Sequence, residues 1–260
     1  MSKIDNVQLD SLAVQLLRDY DAHNPGTAFA DDIRLELADA YRLQDAVAKL
    51  REHRGEKIIG YKIGCVSERN QRAMGLTHPV WGRLWSTEQY EDKTELSLAN
   101  FANLAIEAEF AVTINRTIDQ IDIGKDTVAQ AVEAIFPVLE LHNFILRSRA
   151  PNGHELIANN AIHAGVVRGS LFMNLEAAIE TNLQLIYDGG IIDSWSGIQW
   201  PADILSHVSW LASTLASEGK QLSEGDMILT GAWGPPIPVE NVRRVEVKSS
   251  AFGDVSATFT

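Results

Sequence analysis

Two acidic side chains, Glu107 and Glu109, interrupt an otherwise apolar run, Ile106-Glu107-Ala108-Glu109-Phe110-Ala111-Val112-Thr113-Ile114. A strand sends alternate side chains to opposite faces, so Ala108, Phe110, Val112 and Ile114 share one face and Glu107, Glu109, Ala111 and Thr113 the other. A rise of about 3.3 Å per residue sets the two carboxylates roughly 7 Å apart. At an effective dielectric of about 20, anions at that spacing repel by about 2 kcal/mol. An apolar strand carrying such a pair calls for a cation, or for a proton on one partner.

A third carboxylate, Glu140, stands in Ile135-Phe136-Pro137-Val138-Leu139-Glu140-Leu141, where an acid is hard to bury alone. Three carboxylates without a cysteine ligand form a hard, oxygen-rich set that suits Mg²⁺ or Mn²⁺ rather than Zn²⁺. The same spacing also fits a solvated sheet face at 107 and 109, with Glu140 in a salt bridge.

Three further side chains have types suited to chemistry. Lys62 lies in Gly60-Tyr61-Lys62-Ile63-Gly64, where flanking glycines let backbone approach a ligand and the ammonium can bind a carboxylate or steady an enolate. An edge-strand lysine that discourages aggregation reads the same way. Thr230 closes the turn-then-strand segment Gly225-Asp226-Met227-Ile228-Leu229-Thr230-Gly231, at a strand end where binding groups are often held. His163, in Asn159-Asn160-Ala161-Ile162-His163-Ala164-Gly165, can accept a proton near neutrality, although a lone histidine is often structural. No nucleophile elbow and no phosphate-cradling glycine loop is present.

The elements that must position these groups follow from periodicity. A three-and-four stripe predicts helices over Gln8 to Tyr20 and Leu37 to His53, with a break at His23-Asn24-Pro25-Gly26. From Lys57 the pattern changes to short β-rich runs: Ile58–Ile63, Thr94–Leu98, Ile106–Ile114, Ile135–Leu141, Ala164–Arg168, Leu183–Tyr187, Met227–Thr230 and Val242–Lys248. Helical patterns interrupt them at Asp126–Ala134 and Ile204–Glu218. The expected class is α+β, with an N-terminal helical appendage over residues 1–56 and a catalytic β-rich body over 57–260.

Composition narrows the partners. A formal charge of −13 over 260 residues argues against nucleic acid or an anionic membrane surface, which require a basic patch. No apolar run reaches the length of a membrane span, and no leader pattern opens the chain. A single cysteine, Cys65, excludes an internal disulfide and fits a reducing compartment, so a cytoplasmic location is expected.

Taken together these residues resemble the fumarylacetoacetate hydrolase superfamily, in particular its 2-keto-4-pentenoate hydratase branch. The matching stretches are Gly60 to Gly64, Gly75 to Leu84, Ile106 to Glu109, Pro137 to Glu140, Asn160-Ala161 and Gly225 to Gly231. The resemblance implies a mixed β-roll, one divalent ion (Mg²⁺ or Mn²⁺) held by Glu107, Glu109 and Glu140, and a 2-oxo acid chelating it. It further implies substrate contacts from Lys62, Leu76 and Thr230, and a homo-oligomer.

Members end a shared enolate-forming step differently: they hydrate a 2-oxo-4-enoate, decarboxylate a 2-oxo-3-enedioate, or hydrolyse a carbon–carbon bond in an acylpyruvate. Val80, in His78-Pro79-Val80-Trp81-Gly82, stands where the hydratase branch usually has an Asp. Ile162 and His163 stand where many of its members have serines. Hydration must deliver a proton to a distant carbon, so these departures point to hydrolysis of an acylpyruvate such as maleylpyruvate or fumarylpyruvate, with Lys62 and His163 catalytic and pyruvate released. The alternatives are a hydratase or related decarboxylase, and a non-catalytic 2-oxo-acid-binding protein.

Overall fold

The computed structural model describes residues 4–24, 27–29, 33–147, 151–173, 175 and 178–260. Helices α1 (Asn6–Asp21) and α2 (Leu37–His53) open the chain, followed by β1 (Ile58–Gly64), α3 (Glu68–Met74), β2 (Val80–Trp85), β3 (Gln89–Glu91) and β4 (Thr94–Leu96). The central pair β5 (Leu104–Ile114) and β6 (Val132–Asn143) flanks α4 (Lys125–Ala129). After α5 (Gly153–Ala158) come β7 (His163–Arg168), β8 (Ile179–Tyr187), β9 (Gly190–Trp200) and α6 (Val208–Ser217). The chain closes with β10 (Met227–Leu229), β11 (Ile237–Pro238), β12 (Arg244–Ser249) and β13 (Gly253–Phe259).

The strands form two sheets, one ordered β2-β1-β10-β5-β6-β7-β3 with β11 added to β5, the other β4-β13-β12-β8-β9. The fold is a mixed α+β arrangement with a curled sheet and few helices. Its first sheet mixes directions: β1 runs parallel to β10, whereas β10, β5, β6 and β7 pair antiparallel. Gly60 permits the β1–β10 join. It has φ +146°, and a Cβ there would fall 1.8 Å from the Met227 carbonyl oxygen.

Alternation along β5 divides the interior. Phe110, Val112 and Ile114 enter a core built with Leu183 and Leu185 of β8 and Val245 and Val247 of β12, between the two sheets. Ala111, on the other face, joins Leu84, Phe136, Val138, Val166 and Leu229. A further cluster unites Leu9, Leu12 and Leu16 of α1 and Leu43 of α2 with Val80, Ile157, Ala161 and Ile162. The N-terminal helices thereby pack on the segments that lead into β2 and β7. α2 ends at His53 and β1 begins at Ile58, on either side of the boundary proposed at residues 56 and 57.

Both N-terminal helices fall where the stripe predicts them, α1 started by Asp5, whose side chain accepts from the Gln8 amide. Pro25 and Gly26 of the expected break lie outside the described residues. The helix expected over Asp126–Ala134 stops at Ala129, because Val132 and Ala134 are drawn into β6 opposite Ile114 and Thr113. The one expected over Ile204–Glu218 starts only at Val208, after a run of turns in which Asp203 caps the Gln199 amide. Among the described residues no helix is long and apolar enough to cross a membrane.

Candidate functional site

Register decides which side chains meet. Glu107 on β5 lies directly opposite Glu140 on β6, and Glu109 opposite Val138. On the other side of β5, Ala111 pairs with Leu229 of β10, and Leu229 with Lys62 of β1. All of these positions share one sheet face, so two-residue alternation on four strands gathers the carboxylates and the ammonium.

The cluster is deeply buried: Lys62 is 2% exposed, Glu109 1% and Glu140 0%. Lys62 Nζ lies 3.2 Å from Glu140 Oε1 and 3.5 Å from the Ala161 carbonyl oxygen. His163 Nδ1 contacts the same Glu140 oxygen at 2.8 Å. Glu109 Oε2 accepts from the Gly231 amide at 3.0 Å. Two carboxylate oxygens, Glu109 Oε1 and Glu140 Oε2, are buried without any hydrogen bond. Bare buried carboxylate oxygens are costly unless a cation meets them, so this hard donor set fits a divalent ion.

His142, two residues after Glu140 and on the same face of β6, is a group that the sequence reading missed. Its Nε2 lies 2.9 Å from Glu107 Oε2 and 3.5 Å from Glu140 Oε2. Among the described residues, Glu107, Glu140 and His142 offer ligand atoms all within 4.8 Å of one another. The i, i+2 spacing of Glu140 and His142 was a visible signal for this. The Gly231 amide and the Ala161 carbonyl are backbone groups and leave no trace in residue type.

Electrostatics follow from burial and neighbours. Burial raises the Glu109 carboxyl, and Glu140 and Glu107 raise it further, so without a cation its protonated form is favoured more than in an ordinary carboxyl. Burial also works against ionisation of Glu140, but Lys62 and His142 prevail and hold it well below the usual carboxylate range. For Lys62 the desolvation cost of its charge is outweighed by Glu140, Glu107 and Glu109, which keep it protonated. Burial opposes charge on His142 too, yet Glu140 and Glu107 push it up to about 9.

The remaining candidates are placed differently. Thr230 is buried just past β10, and its Oγ1 donates to the Phe110 carbonyl at 3.0 Å. Leu76 follows α3, gives its amide to the Gln71 carbonyl, and packs in the cluster of the N-terminal helices. Val80 is closer to the ammonium: a Cβ on Gly64 would lie 3.3 Å from Val80 Cγ2 and 3.4 Å from Lys62 Nζ.

A clamp supports the site from behind. Asn160 accepts from the Arg83 amide at 2.7 Å and donates to the Arg83 carbonyl at 2.9 Å. It starts a left-handed turn in which Asn160, Ala161 and Ile162 have φ of 55°, 51° and 56°. That turn aims the Ala161 carbonyl at Lys62 and delivers His163 to Glu140.

No family model matches the chain. It is 29% identical over 226 residues to a 2-keto-4-pentenoate hydratase of Burkholderia vietnamiensis, covering 85% of each chain. A 4-oxalocrotonate decarboxylase of Pseudomonas putida is 27% identical over 244 residues, with 92% of this chain and 91% of that one covered. Among solved structures, 4-oxalocrotonate decarboxylase from Pseudomonas putida G7, complexed with calcium and acetate, superposes with a TM-score of 0.88 at 24% identity over 100% of both chains. The sheet order, the buried acidic cluster and these likenesses together make the chain similar to the 2-keto-4-pentenoate hydratase-like proteins and to folds of the fumarylacetoacetate hydrolase family.

Proposed function

We propose that the protein is a divalent-cation-dependent lyase acting on an unsaturated 2-oxo acid of aromatic catabolism, as a 2-oxo-4-enoate hydratase or a decarboxylase of a related 2-oxo-3-enedioate. The observation that carries this is the buried Lys62 ammonium, 3.2 Å from Glu140 within a carboxylate cluster that leaves two oxygens bare. The named relatives support this class better than the acylpyruvate hydrolysis expected from the sequence.

In this reading Glu107, Glu109 and Glu140 hold the cation, with Mg²⁺ or Mn²⁺ suited to an all-carboxylate set. A bound divalent cation supplies Lewis acidity toward the carboxylate and 2-oxo oxygens of such an acid. Lys62 places a second positive charge beside the oxygen on which negative charge gathers. Because Glu140 and the Ala161 carbonyl already fix its ammonium, little reorganisation is needed when that charge develops. The Gly231 amide holds the orientation of Glu109. His163, anchored through Nδ1, keeps a buried and unbonded Nε2 as the atom that can take or return a proton. Substrate contacts from Thr230 and Leu76 remain part of the proposal.

Val80 favours carbon dioxide loss over water addition. Its Cγ2 lies beside Gly64, as does the ammonium, and it has no proton to give. Decarboxylation needs only a destination for the electron pair of the breaking carbon–carbon bond, which moves through the conjugated system to the 2-oxo oxygen. Water addition also needs a proton placed on a remote carbon.

Incubation of the cation-loaded protein with 2-oxo-4-pentenoate, a 2-oxo-3-enedioate and an acylpyruvate, with products read by NMR, tests the reading. A 4-hydroxy-2-oxo acid, or carbon dioxide with a 2-hydroxydienoate, is expected. Cleavage of the acylpyruvate to pyruvate and an acid, with the other two untouched, would overturn it.

A further inference from the structure

The three ligand atoms that converge most closely do not form an all-oxygen set. They are one oxygen each from Glu107 and Glu140 and one nitrogen from His142, all within 4.8 Å of one another. The measured edges from His142 Nε2 are 2.9 Å to Glu107 Oε2 and 3.5 Å to Glu140 Oε2. Around a small ion with bonds of about 2.1 Å, neighbouring ligand atoms lie about 3.0 Å apart in octahedral and about 3.4 Å apart in tetrahedral geometry. Both edges from His142 fall close to these values.

Strand geometry makes the arrangement durable. Glu140 and His142 project from one face of β6, with Glu107 across the register on β5, so neither loop nor helix must move to form the set. Glu140 Oε2, the oxygen facing His142, is buried and accepts no hydrogen bond, and His142 itself is 1% exposed. Glu109 spends one oxygen on the Gly231 amide. His163 is engaged elsewhere: its Nδ1 is bonded to the other Glu140 oxygen.

We propose that His142 Nε2 is itself a ligand of the divalent cation, making the centre a mixed nitrogen–oxygen site. This rests on the reading that a cation sits among these carboxylates, and it adds a consequence for metal choice. Imidazole adds little for Mg²⁺, which prefers oxygen, but strengthens binding of borderline ions such as Co²⁺ and Zn²⁺. Removing it should therefore change selectivity more than overall binding.

The test uses the full chain loaded with Mn²⁺ and pulsed EPR, which detects a directly coordinated ¹⁴N, with Co²⁺ and Mg²⁺ affinities from calorimetry. The expected result is imidazole coupling in the wild type, retained in His163→Gln and lost in both His142→Gln and His142→Leu. With it, Co²⁺ affinity should fall by about 10- to 100-fold while Mg²⁺ affinity moves by less than about 3-fold. Mn²⁺ bound by the wild type without nitrogen coupling, or coupling lost only with His163, overturns the proposal and leaves His142 a hydrogen-bond donor in an intact carboxylate centre. A wild-type chain that binds no divalent ion overturns the functional reading as well. The wild-type spectrum needs no variant to fold.

Discussion

A proton and a divalent cation compete for Glu109. Without a cation the protonated carboxyl is favoured, because burial and the neighbouring Glu140 and Glu107 disfavour its charge. Glutamine has nearly the shape of that protonated form. Glu109→Gln should therefore leave the stability of the cation-free protein within about 0.5 kcal/mol, while turnover falls by about 100-fold or more. Chemical denaturation in chelator and steady-state rates with Mn²⁺ measure the two effects. The same groups set a pH dependence. Glu109 and His142 are raised in the folded state, so their stabilisation is fully present below their unfolded values and is lost as pH rises through the folded ones, about 9 for His142. Glu140 is lowered, so its contribution is present above the ordinary carboxylate range and is lost as pH falls through its folded value. Cation-free protein should thus melt highest at mildly acidic pH and progressively lower toward pH 9. A saturating cation should flatten the alkaline limb, which thermal melts with and without chelator across that range would reveal.

Pairing of elements explains what sequence could and could not disclose. The alternation in Ile106–Ile114 assigned the faces of β5 correctly, since Phe110, Val112 and Ile114 enter the core while Glu107 and Glu109 face the site. Lys62 and Glu140 were identifiable as charged groups in apolar runs and His163 as a titratable group ahead of a strand, and the structure brings the three together. The strands β2, β3, β9, β11 and β13 escaped notice. β3 and β11 are only three and two residues long, β2 carries Gly82 and Arg83, and β9 and β13, whose runs mix glycine, serine and acidic residues, are the second arms of hairpins on β8 and β12, so pairing rather than propensity makes them strands. Nor does residue type announce the turn at 160–162, because three consecutive non-glycine residues with positive φ are adopted only when surrounding contacts impose them. Gly60 carries an element-scale prediction. Gly60→Ala would drive a methyl into the Met227 carbonyl and separate β1 from β10, lowering stability by about 3 kcal/mol or more and displacing Lys62 from Glu140. Urea denaturation would register the loss, and a variant as stable as the wild type would contradict the proposed close approach.

Across the whole molecule, the N-terminal helices are bound to the sheet by charge as well as by apolar contact. Arg51 of α2 is 4% exposed, pairs with Glu56 and Glu88, and stacks its guanidinium 4.4 Å from the Trp85 ring and 5.0 Å from the Tyr20 ring. Tyr20 donates to Glu88 as well. Arg51→Met keeps the packing volume but strands the Glu88 carboxylate, so a loss of about 3–5 kcal/mol is expected in equilibrium unfolding. The left-handed turn between these helices and the sheet also bears on how the protein would respond to selection for heat resistance. Backbone held in a sparsely populated region costs about 1–3 kcal/mol per residue. Glycine at position 161 would relieve that cost in the folded chain, although it would also give the unfolded chain more freedom to lose. Where relief dominates, Ala161→Gly would withstand more heat yet turn over more slowly, because a slacker carbonyl no longer pins the Lys62 ammonium. Evolution toward hotter environments would then meet a bargain at this one peptide, with durability gained as catalytic readiness is surrendered.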